Sequence, residues 1–206
     1  MRRHLLFADD VEIAREGTLE GALRAFETDL QLYVSRSAPR HVFVHAGVVG
    51  WKGRAILLPG RTLAGKTSLV IALVKAGATY YSDEFAVLDA RGRVHPYARK
   101  LHVRGRRVRA DRRPVAEFGG TAGEKPLRVG LIVATQFKEG ARWRPRRLTR
   151  AESIVELLAN TVPARLRPAA AMKALQAAVA DADGLAGTRA DAEPAAKAIL
   201  AALGDP

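Results

Sequence analysis

The sequence predicts an α/β protein, a single domain built on a mixed sheet with flanking helices, and three observations predict it. An apolar strand pattern, Arg54-Ala55-Ile56-Leu57-Leu58, runs straight into a glycine-containing loop and then into the helical pattern Ser68-Leu69-Val70-Ile71-Ala72-Leu73-Val74-Lys75, closed by Gly77. Short β-rich runs alternate with amphipathic stretches along the chain. The 206 residues are 48% hydrophobic, enough to bury a sizeable core.

In chain order, residues 1–38 read as a strand followed by a helix. Thr18 supplies a cap, and Leu19, Leu23, Phe26, Leu30 and Val34 recur at helical spacing until Ser35-Arg36-Ser37-Ala38-Pro39 interrupts them. His41 to Val49 is rich in β-branched and apolar residues, and Gly50-Trp51-Lys52-Gly53 supplies turn chemistry before the next strand, so 41–58 reads as a β-hairpin. After the helix that ends near Gly77, Thr79-Tyr80-Tyr81 and Phe85-Ala86-Val87-Leu88 are short strands flanking Ser82-Asp83-Glu84, and Asp89 to Arg93 is a hairpin turn. Leu101, Val103 and Val108 alternate with polar residues as a strand leading into a loop, and Phe118-Gly119-Gly120-Thr121-Ala122-Gly123 is expected to be a flexible connection. Leu127 to Thr135 is a core strand. Thr149-Arg150-Ala151-Glu152 forms a capping-box start to an apolar helix that ends before Pro163, and two Ala-rich helices, about 169–181 and 192–203, finish the chain. The predicted core of the domain is about 41–160, with 165–206 as C-terminal helices.

Composition removes several function classes. With no cysteine there is no disulfide framework, thiol nucleophile or Cys-based metal site, and the five histidines lack metal-ligand spacing. No apolar run approaches the ~18 residues of a membrane span, and no secretion signal is visible, so the expectation is a cytoplasmic protein without membrane contact. The net charge is +13, but it is local: residues 91–113 carry +9 and 142–150 carry +5, whereas residues 1–90 sum to only +1. Clusters of this kind attract polyanions, phosphorylated ligands or acidic partners, or are simply a solvated face.

The sharpest signal is Gly60-Arg61-Thr62-Leu63-Ala64-Gly65-Lys66-Thr67, a complete GxxxxGK[ST] pattern with Ser68 following. Gly60 and Gly65 let the backbone curl so that its N–H groups face phosphate oxygens, a nest reinforced by the positive end of the following helix. Lys66 is expected to span the β- and γ-phosphates, and Thr67 to present a hydroxyl to Mg²⁺. The implied ligands are therefore ATP and Mg²⁺.

Such a loop binds nucleotide without choosing a reaction; that takes a group that positions or deprotonates the attacking atom. Asp83 and Glu84 follow a short strand and would sit at the same carboxyl edge of the sheet, Asp83 as base and Glu84 reaching the metal. The competing reading is an acidic turn between strands. His45, inside Val42-Phe43-Val44-His45-Ala46, is on these grounds either a hydrogen-bonded core residue or a functional group.

These residues, in this order, resemble the C-terminal catalytic domain of HPr serine kinase/phosphorylase and its shorter relatives. The resemblance rests on His45-Ala46-Gly47-Val48-Val49, on residues 60–68, on Tyr80-Tyr81-Ser82-Asp83-Glu84, and on the Val87-Leu88-Asp89 to Val94-His95-Pro96-Tyr97 hairpin, about 41–160 in all. It implies a P-loop fold of the PEP-carboxykinase-like kind, Asp83 accepting a proton from an incoming serine hydroxyl, and His45 as its partner or as a phosphate contact. Glu84 stands where the family usually has a second Asp. The family's Arg-Gly-Leu-Gly signature has at best His102-Val103-Arg104-Gly105-Arg106-Arg107 in its place, without the preceding carboxylate, so a kinase without the reverse, phosphate-removing reaction is expected.

The expected activity is thus ATP- and Mg²⁺-dependent transfer of a phosphoryl group to a serine of an acidic protein or peptide, with Arg104 or its neighbours neutralising the transferred phosphate. A nucleotide-binding regulatory module without transfer is the alternative. Nucleic-acid binding ranks below both, because Tyr97 and Trp143 are the only aromatics near the basic clusters. Homo-oligomerisation is compatible with either leading reading.

Overall fold

The structure, a computed structural model, describes residues 3–60, 65–103 and 111–204. The chain divides into two compact units, Met1–Pro39 and Arg40–Pro206. In the first, β1 (His4–Ala8) and β2 (Val11–Glu16) form an antiparallel hairpin followed by α1 (Leu19–Ser37). The Thr18 hydroxyl accepts from the Gly21 amide at 3.1 Å, so the helix starts where the sequence placed its cap.

The second unit is built around β3 (Val42–Trp51) and β4 (Arg54–Pro59), an antiparallel pair running from Ala46 opposite Pro59 to Trp51 opposite Arg54. Lys52 (φ 47°) and Gly53 (φ 74°) both turn left-handed, the backbone that a two-residue hairpin loop requires. After α2 (Lys66–Lys75) the chain forms β5 (Thr79–Ser82), β6 (Phe85–Leu88), β7 (Val94–His95), β8 (Leu101–Val103) and β9 (Asp111–Arg113). A 3-10 turn, Val115–Phe118, leads to β10 (Arg128–Phe137), β11 (Arg146–Leu148), α3 (Arg150–Leu158), α4 (Pro168–Val179), β12 (Asp183–Arg189) and α5 (Ala192–Ala202).

Strands β11-β12-β10-β4-β3-β6-β7 pair in that order, and β5 also pairs with β3. Strands β4, β10 and β12 are parallel, while β3 is antiparallel to β4, β5 and β6. The sheet is therefore mixed and the class α/β, as the sequence predicts. Alternation along the strands splits the core: Val44, Ala46, Val48 and Leu57 pack with α4, whereas Val49, Ile56 and Leu58 pack with α2 and α5 on the other face. Each fully buried Leu or Ile contributes roughly 1.5–3 kcal/mol, so these two layers carry the stability that holds the loop ends in place. The capping box of α3 is present, with Thr149 Oγ1 accepting from the Glu152 amide at 3.2 Å and a Glu152 carboxylate oxygen accepting from the Thr149 amide at 2.8 Å.

Two expectations are corrected. The segment expected to be a flexible connection, Phe118 to Gly123, is tied to the sheet: the Tyr80 amide donates to Thr121 O at 2.9 Å and the Gly123 amide donates to Tyr80 O at 2.7 Å. A Cβ on Gly123 would lie 2.1 Å from the Tyr81 ring, so this glycine serves close approach rather than freedom. Between the two Ala-rich helices the chain is not a simple connection but β12, which pairs with β10 over seven residues. Its sequence, Asp183-Gly184-Leu185-Ala186-Gly187-Thr188-Arg189, is poor in β-formers, and the sheet position overrides that propensity.

Gly92, in the turn after β6, has φ 72°, and a Cβ there would lie 2.3 Å from the backbone nitrogen of Ala178 in α4. Gly92→Ala is expected to lower stability by about 2–4 kcal/mol in urea titration, against about 1–2 kcal/mol for Gly53→Ala, which has a left-handed φ but open space around it. Equal losses at both positions would show that the helix contact of Gly92 is slack.

Candidate functional site

The site grows out of the way β3 is paired on both sides. One edge holds β4; the other holds β6 along Val42–His45 and β5 along Val48–Gly50. Between β5 and β6 the Ser82 Oγ accepts from the amides of Glu84 (3.1 Å) and Phe85 (3.0 Å), which folds the chain into a tight step. Ala46 then donates its amide to Glu84 O at 3.1 Å, and the Gly60 amide donates to His45 O at 3.2 Å. His45, Gly60 and the Asp83-Glu84 step are thereby brought to one level at the carboxyl edge of β4 and β5.

Side chains close the arrangement. Thr67, in the first turn of α2, donates its hydroxyl to Asp83 Oδ2 at 3.0 Å, and Tyr80 donates its phenol to Asp83 Oδ1 at 2.9 Å. The His102 amide lies 3.4 Å from Asp83 Oδ2. Both oxygens of Asp83 therefore accept hydrogen bonds from neutral donors. Burial, then the neighbouring Asp83 charge, pushes the Tyr80 phenol far above its ordinary range, so it stays protonated and remains a donor. Lys66 Nζ donates to Gly60 O at 2.8 Å. Desolvation pulls the Lys66 ammonium below the usual lysine range, against the opposing attraction of Asp83 and Glu84. The Glu84 carboxylate makes no hydrogen bond among the described residues.

The His45 ring stacks at 4.5 Å on Phe85, which meets Phe43 and Tyr97 edge-on. Burial, and after it the Lys66 charge, holds the imidazole below its ordinary pKa, so at neutral pH it is uncharged and one ring nitrogen is free to accept. Helix α2 begins at Gly65, whose φ is 77° and which offers no side-chain cap. Its carbonyl accepts from the Leu69 amide at 3.2 Å and from Arg189 Nη2 at 2.8 Å.

The structure thus gathers Gly60, Gly65, Lys66, Thr67, Asp83, Glu84 and His45, with Ser68 in the same turn of α2. Arg61, Thr62, Leu63, Ala64 and Arg104 lie outside the described residues, as do Arg106 and Arg107. Two residues of the site are not singled out by sequence reasoning. Tyr80 carried a signal, a tyrosine on a buried strand three positions before an acid; Arg189 carried none. Around the basic clusters, several arginines are matched by carboxylates: Arg93 with Asp89 (3.0 Å), Arg113 with Asp111 (3.1 Å) and Arg146 with Glu152 (2.7 Å). These partly exposed pairs are individually weak, but they shrink the unmatched charge the sequence displays.

Among the described residues, no helix is long and apolar enough to cross a membrane, and no three or more His, Asp or Glu side chains cluster as a metal cage. No protein-family model matches this chain, and no curated protein matches its sequence.

Two outcomes follow from the site's chemistry. Tyr80→Phe strips Asp83 of one buried donor and is expected to lower stability by about 1–2 kcal/mol in thermal or urea unfolding; no loss would mean that water takes the phenol's place. In the unfolded chain a histidine takes up its proton near 6.5, whereas folded His45 and His41, both held down by burial, take it up only at lower pH. The unfolded state then binds more protons just below pH 6.5, so stability falls as the solution is acidified from pH 7 toward 5. His45→Asn is expected to remove its share of that fall, and an unchanged pH profile would contradict the assignment of a neutral buried imidazole.

Proposed function

We propose that this protein is a kinase that binds ATP with Mg²⁺ on the 60–67 loop and transfers the γ-phosphoryl group to a serine hydroxyl of a protein or peptide. The observation that carries the reading is the Thr67–Asp83 hydrogen bond, which joins the last residue of the glycine–lysine–threonine loop to a carboxylate sixteen positions on, at the carboxyl edge of the sheet. The resemblance to the HPr kinase group points the same way.

The donor set fits a magnesium ion. Thr67 Oγ1 and Asp83 Oδ2 are hard oxygen ligands 3.0 Å apart, close to the ~2.9 Å edge of an octahedron whose metal–oxygen bonds are ~2.0–2.1 Å. Mg²⁺ held there would offset the charge that develops between the phosphates.

The chain's own groups divide the remaining work. Lys66 exchanges the Gly60 carbonyl for β- and γ-phosphate oxygens, whose negative charge restores the ammonium that burial disfavours. Tyr80 keeps Asp83 turned so that one oxygen faces Thr67. With both Asp83 oxygens engaged, Glu84 is the carboxylate left to take the proton from the serine hydroxyl, while His45 lies close behind as a neutral acceptor. This assigns Asp83 to the metal side and Glu84 to the base, the reverse of the roles that sequence and resemblance imply. As the serine oxygen bonds to the γ-phosphorus, the bond from that phosphorus to the β–γ bridging oxygen breaks and ADP leaves. The proton ends on Glu84.

The test uses γ-labelled ATP with Mg²⁺ and a library of acidic, serine-bearing peptides. Label is expected to move to peptide. Glu84→Gln should lower transfer by roughly 10²–10⁴-fold while nucleotide affinity stays within about threefold, and Asp83→Asn should remove the Mg²⁺-dependent part of ATP affinity. Tight ATP binding with no transfer to any acceptor would overturn the kinase reading and leave a nucleotide-binding module. Transfer that survives Glu84→Gln but fails in Asp83→Asn with binding intact would return the base to Asp83.

A further inference from the structure

We propose that Arg189 is a positioning residue of the phosphate-binding loop: its buried guanidinium grips the Gly65 carbonyl and brings an unbalanced positive charge that a nucleotide's phosphates neutralise. This rests on the reading of 60–67 as a phosphate loop.

Arg189 is 2% exposed and is the largest fully buried side chain among the described residues. A buried guanidinium is ordinarily paired with a carboxylate, because an isolated charge in a dry interior is costly. Here its partners are carbonyls: Nη2 donates to Gly65 O at 2.8 Å, Nη1 lies 3.4 Å from Ala190 O, and Nε is buried without a partner. Desolvation accordingly pulls the group below the usual arginine range.

The place of this cation makes the imbalance informative. Gly65 O is also the first carbonyl of α2, since the Leu69 amide donates to it at 3.2 Å. Arg189 thus stands at the N-terminal, positive end of a helix, where a cation is electrostatically misplaced and an anion is favoured. Lys66 in the same turn has Asp83 and Glu84 within electrostatic reach; Arg189 has no carboxylate partner among the described residues.

Geometry gives the grip a direction. In a trans peptide the carbonyl and the following N–H point opposite ways, so fixing Gly65 O aims the Lys66 amide away from Arg189. The origin of the side chain is itself fixed. Arg189 ends β12 opposite Phe137 of β10, and its carbonyl accepts from the Lys138 amide at 2.9 Å. A Cβ on Gly65 would lie 2.9 Å from Nη2, so a side chain there would push the guanidinium aside, and the left-handed φ of 77° is itself what favours glycine at that position.

The experiment measures ATP and ADP binding with Mg²⁺ by calorimetry, and thermal unfolding with and without ATP, for the full chain and for Arg189→Gln and Arg189→Lys. Arg189→Gln is expected to weaken both nucleotides by roughly 10- to 100-fold and to shrink the ATP-induced rise in Tm, while its Tm without nucleotide stays at or above the parent value. Arg189→Lys, which keeps the charge, is expected to recover most of the affinity and to serve alone if the Gln variant does not fold. Equal affinities in the parent and Arg189→Gln would overturn the inference. So would a nucleotide-free Tm that falls as far as the ATP-bound one, or a Lys variant as weak as the Gln variant. A parent chain that binds neither nucleotide would instead overturn the phosphate-loop reading itself, an outcome told apart by the parent measurement.

Discussion

Everything in the larger unit depends on the two-sided pairing of β3. A buried ten-residue strand must satisfy its amides and carbonyls on both edges, because an unpaired polar group in that interior costs as much as a lost hydrogen bond. On one edge β4 does so continuously. On the other the work is shared by two short strands, and the break between them falls opposite Ala46 and Gly47, where Ser82 Oγ satisfies the two amides that the step would otherwise orphan. The acidic pair is therefore projected at the level of Gly60 because the ladder has to change partners there. The site is a by-product of hydrogen-bond accounting in the core.

That origin explains its electrostatics. The groups at the step are partly withdrawn from water, so each charge is defined by what stands next to it. Asp83 accepts from two hydroxyls with Lys66 within electrostatic reach, Lys66 donates to a backbone carbonyl, and His45 is kept neutral by burial and by that lysine. Arg189 likewise donates to a backbone carbonyl, that of Gly65.

Much of this was legible from residues alone where local chemistry dictates structure. Lys52-Gly53 specifies its turn, Thr149 and Glu152 specify a helix start, and the glycine–lysine–threonine loop sits between a strand and a helix as written. The illegible parts are those where distant segments set the terms. Gly184 looks like a breaker between helices, yet a Cβ there would lie 2.4 Å from Ser153 Oγ, so the glycine is what allows β12 to lie against its neighbours. Gly120 and Gly123 read as slack and instead make room for Val74 and Tyr81. An arginine near the end of an Ala-rich tail gives no hint that it is buried, because nothing local pairs with it; Tyr80 was visible as a strand residue but not as the donor that orients Asp83.

The bond from Arg189 to Gly65 spans 124 positions. A ribosome adding about 5–20 residues per second needs roughly 6–25 seconds to travel from one to the other. Throughout that interval the loop exists without its brace, and the parallel strand that carries the brace has not been made. A protein truncated before β12 would contain the full glycine–lysine–threonine motif yet lack the contact from Arg189 to Gly65. The fold in this way makes strand β12 the anchor of a glycine made 124 positions before it.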